Sequence, residues 1–152
     1  MIVDKIRKFS RTRSLQNSTE NSNREIWIQI DTNFEISKFN YFGGAYKEGE
    51  TQNAYYLAEM GGVKYLFISL EFGADDGVLD WANGVLPQYP DHRVVMFTHG
   101  YLTTSGERMV DGDKHCPSGY GFASKVQVNN PDQMFDKFVR KHKNMFMILN
   151  TI

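Results

Sequence analysis

A chain of 152 residues, 41% hydrophobic and 14% aromatic, has the material for about one packed domain, which excludes wholesale disorder. Its formal net charge of −1 excludes the strongly basic balance expected of a nucleic-acid-binding or membrane-surface protein. No run of roughly 18 apolar residues occurs, so no segment reads as a membrane span. The single cysteine, Cys116, excludes an internal disulfide framework and a Cys-based zinc cluster, and it fits a reducing compartment.

Residues 1–23 stand apart. Met1 to Arg13 is basic but lacks the apolar stretch of a secretory signal, and Ser14 to Asn23 carries almost nothing apolar. This segment reads as a polar, disordered tail that buries too little surface to offset its ordering entropy; 24–152 reads as the domain. Structure is expected from Glu25, where Ile26, Trp27, Ile28 and Ile30 give a β-rich run. Tyr41 to Tyr46, around Gly43-Gly44, reads as a loop or turn. Asn53–Met60 and Val63–Leu70 are two strand candidates joined by Gly61-Gly62, a strong hairpin signal.

The period then changes. Asp75 and Asp76 are helix N-cap candidates, and Val78, Trp81, Ala82, Val85 and Leu86 follow on one helical face until Pro87 and Pro90 end it. Arg93–Thr98 is a short, almost continuous apolar run, as expected of a strand covered on both faces. The Gly-rich, polar stretch 100–129 has little periodicity and reads as a long functional or mobile loop. Asn130, Pro131 and Gln133 spell a capped helix start, with Met134, Phe135, Phe138 and Val139 as the buried face of a helix running to His142. Asn144–Leu149 is one more strand. The order predicts an α/β, layered domain. Val63–Leu70, Arg93–Thr98 and Asn144–Leu149 should be neighbours in one sheet.

His99 is the informative polar residue. It follows a buried strand directly and precedes Gly100 and the long loop, the place where open α/β sheets bind ligands, and neutral imidazole is the commonest protein metal ligand. A hydrogen-bonded structural histidine is the plainer alternative. His92 sits in a polar turn and is expected to be solvated. His142 lies among Arg140, Lys141 and Lys143 at a helix end, where cations suit the dipole. His115 and Cys116 lie near Asp111 and Asp113, but at a spacing that matches no defined zinc pattern. Asp75-Asp76 is more simply a cap than an acid/base pair, and Met134, Met145 and Met147 read as core.

Three segments in order carry a family resemblance. They are Leu70-Glu71-Phe72-Gly73 running into Val78-Leu79-Asp80-Trp81-Ala82-Asn83; Arg93 to Thr98 followed by His99-Gly100-Tyr101-Leu102; and Gln133 to Leu149. With Asn53-Ala54-Tyr55-Tyr56, they resemble the central-to-C-terminal part of calcineurin-like metallophosphoesterases of the bacterial secreted or surface type, over about residues 25–149. The resemblance implies part of a β-sandwich with flanking helices, hydrolysis of a phosphate ester substrate, and two divalent metal ions (Mn, Fe or Zn) that bind the ester and generate the nucleophile.

His99 matches the family's isolated metal-binding histidine. The Asp-x-His, Gly-Asp-x-x-Asp and Gly-Asn-His-Asp/Glu motifs do not appear, and Gly-His-x-His is missing after Leu149, where Asn150, Thr151 and Ile152 follow. The resemblance thus implies a domain truncated at both ends and an isolated chain that is inactive, with no other catalytic or substrate-binding residue assigned. The alternative is a non-catalytic binding module in which Tyr41, Phe42, Tyr46, Tyr101 and Tyr120 line a ligand surface.

Overall fold

The structure, a computed structural model, describes residues 41–151; the expected tail over 1–23 and the run Ile26 to Ile30 lie outside them. The described chain is mixed α/β, a five-stranded sheet in the order β1-β2-β3-β4-β5 with two α-helices.

The first three strands form a meander. β1 (Phe42–Ala45) pairs antiparallel with β2 (Ala54–Met60), and β2 pairs antiparallel with β3 (Val63–Ser69) in unbroken register from Ala54↔Ser69 to Met60↔Val63. The hairpin between them needs two consecutive left-handed residues, and Gly61 and Gly62 supply them at φ 60° and 76°; this matches the twist of the flanking strands.

Two parallel units follow. α1 (Asp76–Val85) starts where the Asp75 carboxylate accepts from the Val78 N–H at 2.8 Å. It passes through a 3₁₀ turn at Leu86–Gln88 and leads to β4 (Arg93–His99), parallel to β3. α2 (Pro131–Lys137) opens with a full capping box. Asn130 accepts from the Gln133 N–H, and the Gln133 side chain accepts from the Asn130 N–H, both at 2.9 Å. β5 (Met145–Thr151) then pairs parallel with β4.

Alternation along the strands separates two unlike faces. Leu66, Ile68, Val94 and Met96 pack with Val78, Leu79, Ala82 and Val85 of α1, Met134 of α2, and Phe138 and Val139 in one buried cluster. Both helices therefore cover the same face. Each fully buried side chain there contributes roughly 1.5–3 kcal/mol relative to exposure. The other face carries Tyr65, Phe67, Phe97, Met147 and Leu149. Tyr65 stacks on Phe67 at 5.9 Å and Phe67 meets Phe97 at 6.1 Å. No described helix lies on it, and Phe97 and Leu149 stay 40% and 44% exposed.

Several expectations are corrected. Phe42–Ala45 is a strand, not a turn. Among the described residues helices cover β4 on one face only; on the other, Val95 is buried while Phe97 stays half-exposed. α2 stops at Lys137; Phe138 leaves helical geometry at φ −134°, and Val139–Lys141 is a 3₁₀ turn. Met134 is core, whereas Met147 is 43% exposed. The segment 100–129 is largely irregular, as expected, with 3₁₀ turns at Pro117–Gly119 and Gly121–Ser124 and a bridge between Leu102 and Arg108.

Candidate functional site

His99 is the last residue of β4, at the carboxyl end of the parallel strands. The chain turns away immediately after it because Gly100 is left-handed at φ 60°, and the Gly100 N–H donates to the Thr151 carbonyl at 2.8 Å. That bond brings Thr151 opposite His99, and the Thr151 hydroxyl lies 2.9 Å from His99 Nδ1. Phe72, from the turn after β3, sets its ring edge-on against the imidazole at 5.2 Å and 69°. Phe72 in turn packs edge-on against Tyr120 and Phe122 of the long loop at 5.1 and 5.8 Å, and those two rings also meet at 6.0 Å.

The imidazole is thus oriented on one nitrogen and braced on its ring, while exposed to solvent. Its Nε2 has no hydrogen-bond partner among the described residues. The Thr151 hydroxyl can serve either tautomer, so it fixes the orientation of the ring and leaves Nε2 facing outward. The two residues around His99-Gly100 each hold a buried hydroxyl without a described partner, Thr98 Oγ1 and Tyr101 OH. Burial pushes the Tyr101 phenol up to about 12, so it stays protonated.

The remaining histidines are engaged elsewhere. His92 is not solvated: its Nδ1 lies 2.7 Å from Asp91 and its ring packs on Tyr89. His142 does not act as a helix-end cation. Its Nε2 meets the Asn83 side-chain oxygen at 2.8 Å, and burial, then Lys141, pushes its pKa down. His115 has positive φ at 72° and lies 3.4 Å from the Tyr120 hydroxyl.

The nearby carboxylates shape the loop. Asp113 accepts from the Val110 N–H, and Asp111 accepts from Asn130, the α2 cap, which holds Asp111 below the usual carboxylate range. Cys116 is fully buried and free. Asp75 caps α1, while Asp76 receives Lys137 at 2.7 Å and Asn129 at 3.0 Å. Lys137, then Asn129, lowers the Asp76 pKa. Of the aromatics expected to form a binding surface, Tyr41 and Tyr120 are exposed, Tyr46 packs on Trp81 at 6.0 Å, and Tyr101 is buried at 3% exposure.

Among the described residues, no group of three or more His, Cys, Asp or Glu side chains converges as a metal-binding set. A zinc-like catalytic ion needs about three protein ligands, and His99 with its Thr151 hydroxyl does not meet that count. These residues do not by themselves fit a two-ion centre. Sequence reasoning placed His99 at the end of its strand, as observed, but missed Thr151 and Phe72 beside it. The parallel register of β4 and β5, carried two residues beyond Leu149, would have placed Thr151 beside His99.

No helix among the described residues is long and apolar enough to cross a membrane. The chain is similar to the uncharacterized protein YvnB of Bacillus subtilis (strain 168), 28% identical over 113 residues that span 74% of this chain and 7% of that protein. No family model matches the chain, and no solved structure matches it.

Proposed function

We propose that the chain is part of a calcineurin-like metallophosphoesterase in which His99 supplies one imidazole ligand to a site completed by residues outside this chain. The observation that carries this reading is the setting of His99. It stands at the carboxyl end of a parallel strand with Nδ1 held by Thr151, the ring braced by Phe72 and Nε2 without a described partner. That is the outer-partner arrangement typical of metal-binding histidines. The three sequence segments resembling that family add order and spacing in its support.

In this family the bound ion pair activates water and clamps the phosphate ester. One ligand cannot hold such a pair, so the 152-residue chain is expected to bind Mn²⁺, Fe²⁺ or Zn²⁺ weakly and to leave an activated phosphodiester intact. Joined to the missing Asp- and His-bearing motifs and to a Gly-His-x-His segment after β5, it should hydrolyse that ester with added metal. His99→Ala should then lower kcat/KM by more than about a hundredfold, the loss of a few kcal/mol of transition-state stabilisation. Metal-dependent turnover by the 152-residue chain alone, unchanged by His99→Ala, refutes the proposal.

A further inference from the structure

Among the described residues, β5 closes the sheet with an unguarded edge. Its seven residues, Met145 to Thr151, include no charge and no proline, although exposed edges ordinarily carry one or the other to repel further strands. The one irregularity in its pairing lies at its start, opposite Val94/Val95, and Met147 to Thr151 run in regular register. Gly100 donates to the Thr151 carbonyl, so the main-chain groups of Thr151, and by alternation those of Leu149 and Met147, face β4. The N–H and C=O groups of Ile148 and Asn150 consequently face outward, where no described strand meets them. The apolar side chains along this edge are open too, Phe146 at 53%, Met147 at 43% and Leu149 at 44% exposure. The opposite edge is a poor template by comparison, because β1 has four residues and a break in register between Phe42 and Gly44.

We propose that the β5 edge is a self-association site, in which the β5 strands of two copies pair antiparallel about a two-fold axis at Ile148 and join the two sheets into one. The occupant follows from self-complementarity. About that axis, Ile148 lies opposite Ile148 of the second copy and exchanges both main-chain hydrogen bonds with it, while Met147 lies opposite Leu149 of the second copy. Met147 and Leu149 share one sheet face, so apolar side chains meet apolar side chains with no charge at the seam. On the other face Ile148 lines an open groove of about 880 Å³ together with Phe135, Val139 and Tyr101, which leaves room for Ile148 of the second copy. An unrelated strand would need the same absence of charge and the same apolar spacing, and β5 itself has both.

The test uses the whole 152-residue chain in sedimentation velocity over a concentration series, with amide hydrogen exchange. A reversible monomer–dimer equilibrium is expected, in which the Ile148 amide exchanges more slowly as dimer forms. Ile148→Pro removes an N–H that β4 does not use, and Leu149→Lys puts a charge beside Met147 of the second copy. Each should weaken the dimer by at least about tenfold, roughly 1.4 kcal/mol, with unchanged far-UV circular dichroism. If Ile148→Pro does not fold, Leu149→Lys and the Ile148 exchange rate decide. A chain that is monomeric throughout overturns the proposal, as does association that ignores both variants. Dimers lost with Phe97→Lys but kept with Ile148→Pro also overturn it, because they would mean packing through the aromatic face.

Discussion

Gly100→Ala is the sharpest probe of how the His99 site is held. Gly100 has φ 60°, and a Cβ added there would lie 2.6 Å from Phe72 Cε2 and 3.2 Å from the His115 carbonyl oxygen. The left-handed backbone alone costs a non-glycine residue roughly 1–2 kcal/mol. The clash adds the cost of overpacking, about 1–3 kcal/mol, since the nearer atom belongs to a ring packed against Tyr120 and Phe122 and the other is main chain. The expected loss is therefore about 2–5 kcal/mol, a large share of the 5–15 kcal/mol typical of a domain. Urea unfolding should show it as a lowered midpoint with an unchanged slope. Because Phe72 must move, the His99 ring proton resonances should shift more than those of His92, which lies at the other end of β4. A loss below about 0.5 kcal/mol, or equal shifts at both histidines, would refute the bracing role given to Phe72 and Gly100.

Asn130→Ala removes the side chain that caps α2 and donates to Asp111, and should cost about 1–2 kcal/mol in the same unfolding assay; Asn130→Asp keeps the cap acceptor but sets a carboxylate against Asp111, so it should recover only part of that loss. His142 is held below the ordinary imidazole value by burial, then Lys141. The unfolded chain thus binds more protons there than the folded one, the His142 contribution is fully present above about pH 6.5 and fades as pH falls toward the lower folded value. His142→Gln should flatten that part of the stability profile, and an unchanged slope between about pH 7.5 and 5.5, one unit either side of the free imidazole pKa, would count against the assignment.

Where folding information was local, it was legible. Gly61-Gly62 specifies its hairpin through two left-handed residues, and Asn130-Pro131-Gln133 specifies the start of α2 through one reciprocal pair of hydrogen bonds. Features set by distant partners were not. Gly43-Gly44 reads as a turn, yet it is a strand because Tyr55 lies over it so closely that a Cβ at Gly43 would collide with the ring. The helical period from Met134 to His142 gives no hint that α2 stops at Lys137. Phe138 is fully buried and leaves helical geometry in the core. At the site, the strand-end histidine was visible from its neighbours in sequence. Thr151, 52 residues away, became visible only through the pairing of β4 with β5.

The aromatic face that no described helix covers has its origin in the connections rather than in the composition. β3, β4 and β5 are parallel neighbours in chain order, and crossovers between parallel strands share one hand almost without exception. Two successive crossovers of the same hand, both advancing in the same direction across the sheet, return on the same side, so α1 and α2 cannot be divided between the faces. A second layer over Tyr65, Phe67 and Phe97 is therefore beyond the reach of residues 63–151, however their side chains are changed. Coating those rings with charge would improve solubility without completing the architecture. A layer over these rings has to come from polypeptide other than residues 63–151, and a design that adds one should treat the rings as a prepared inner surface.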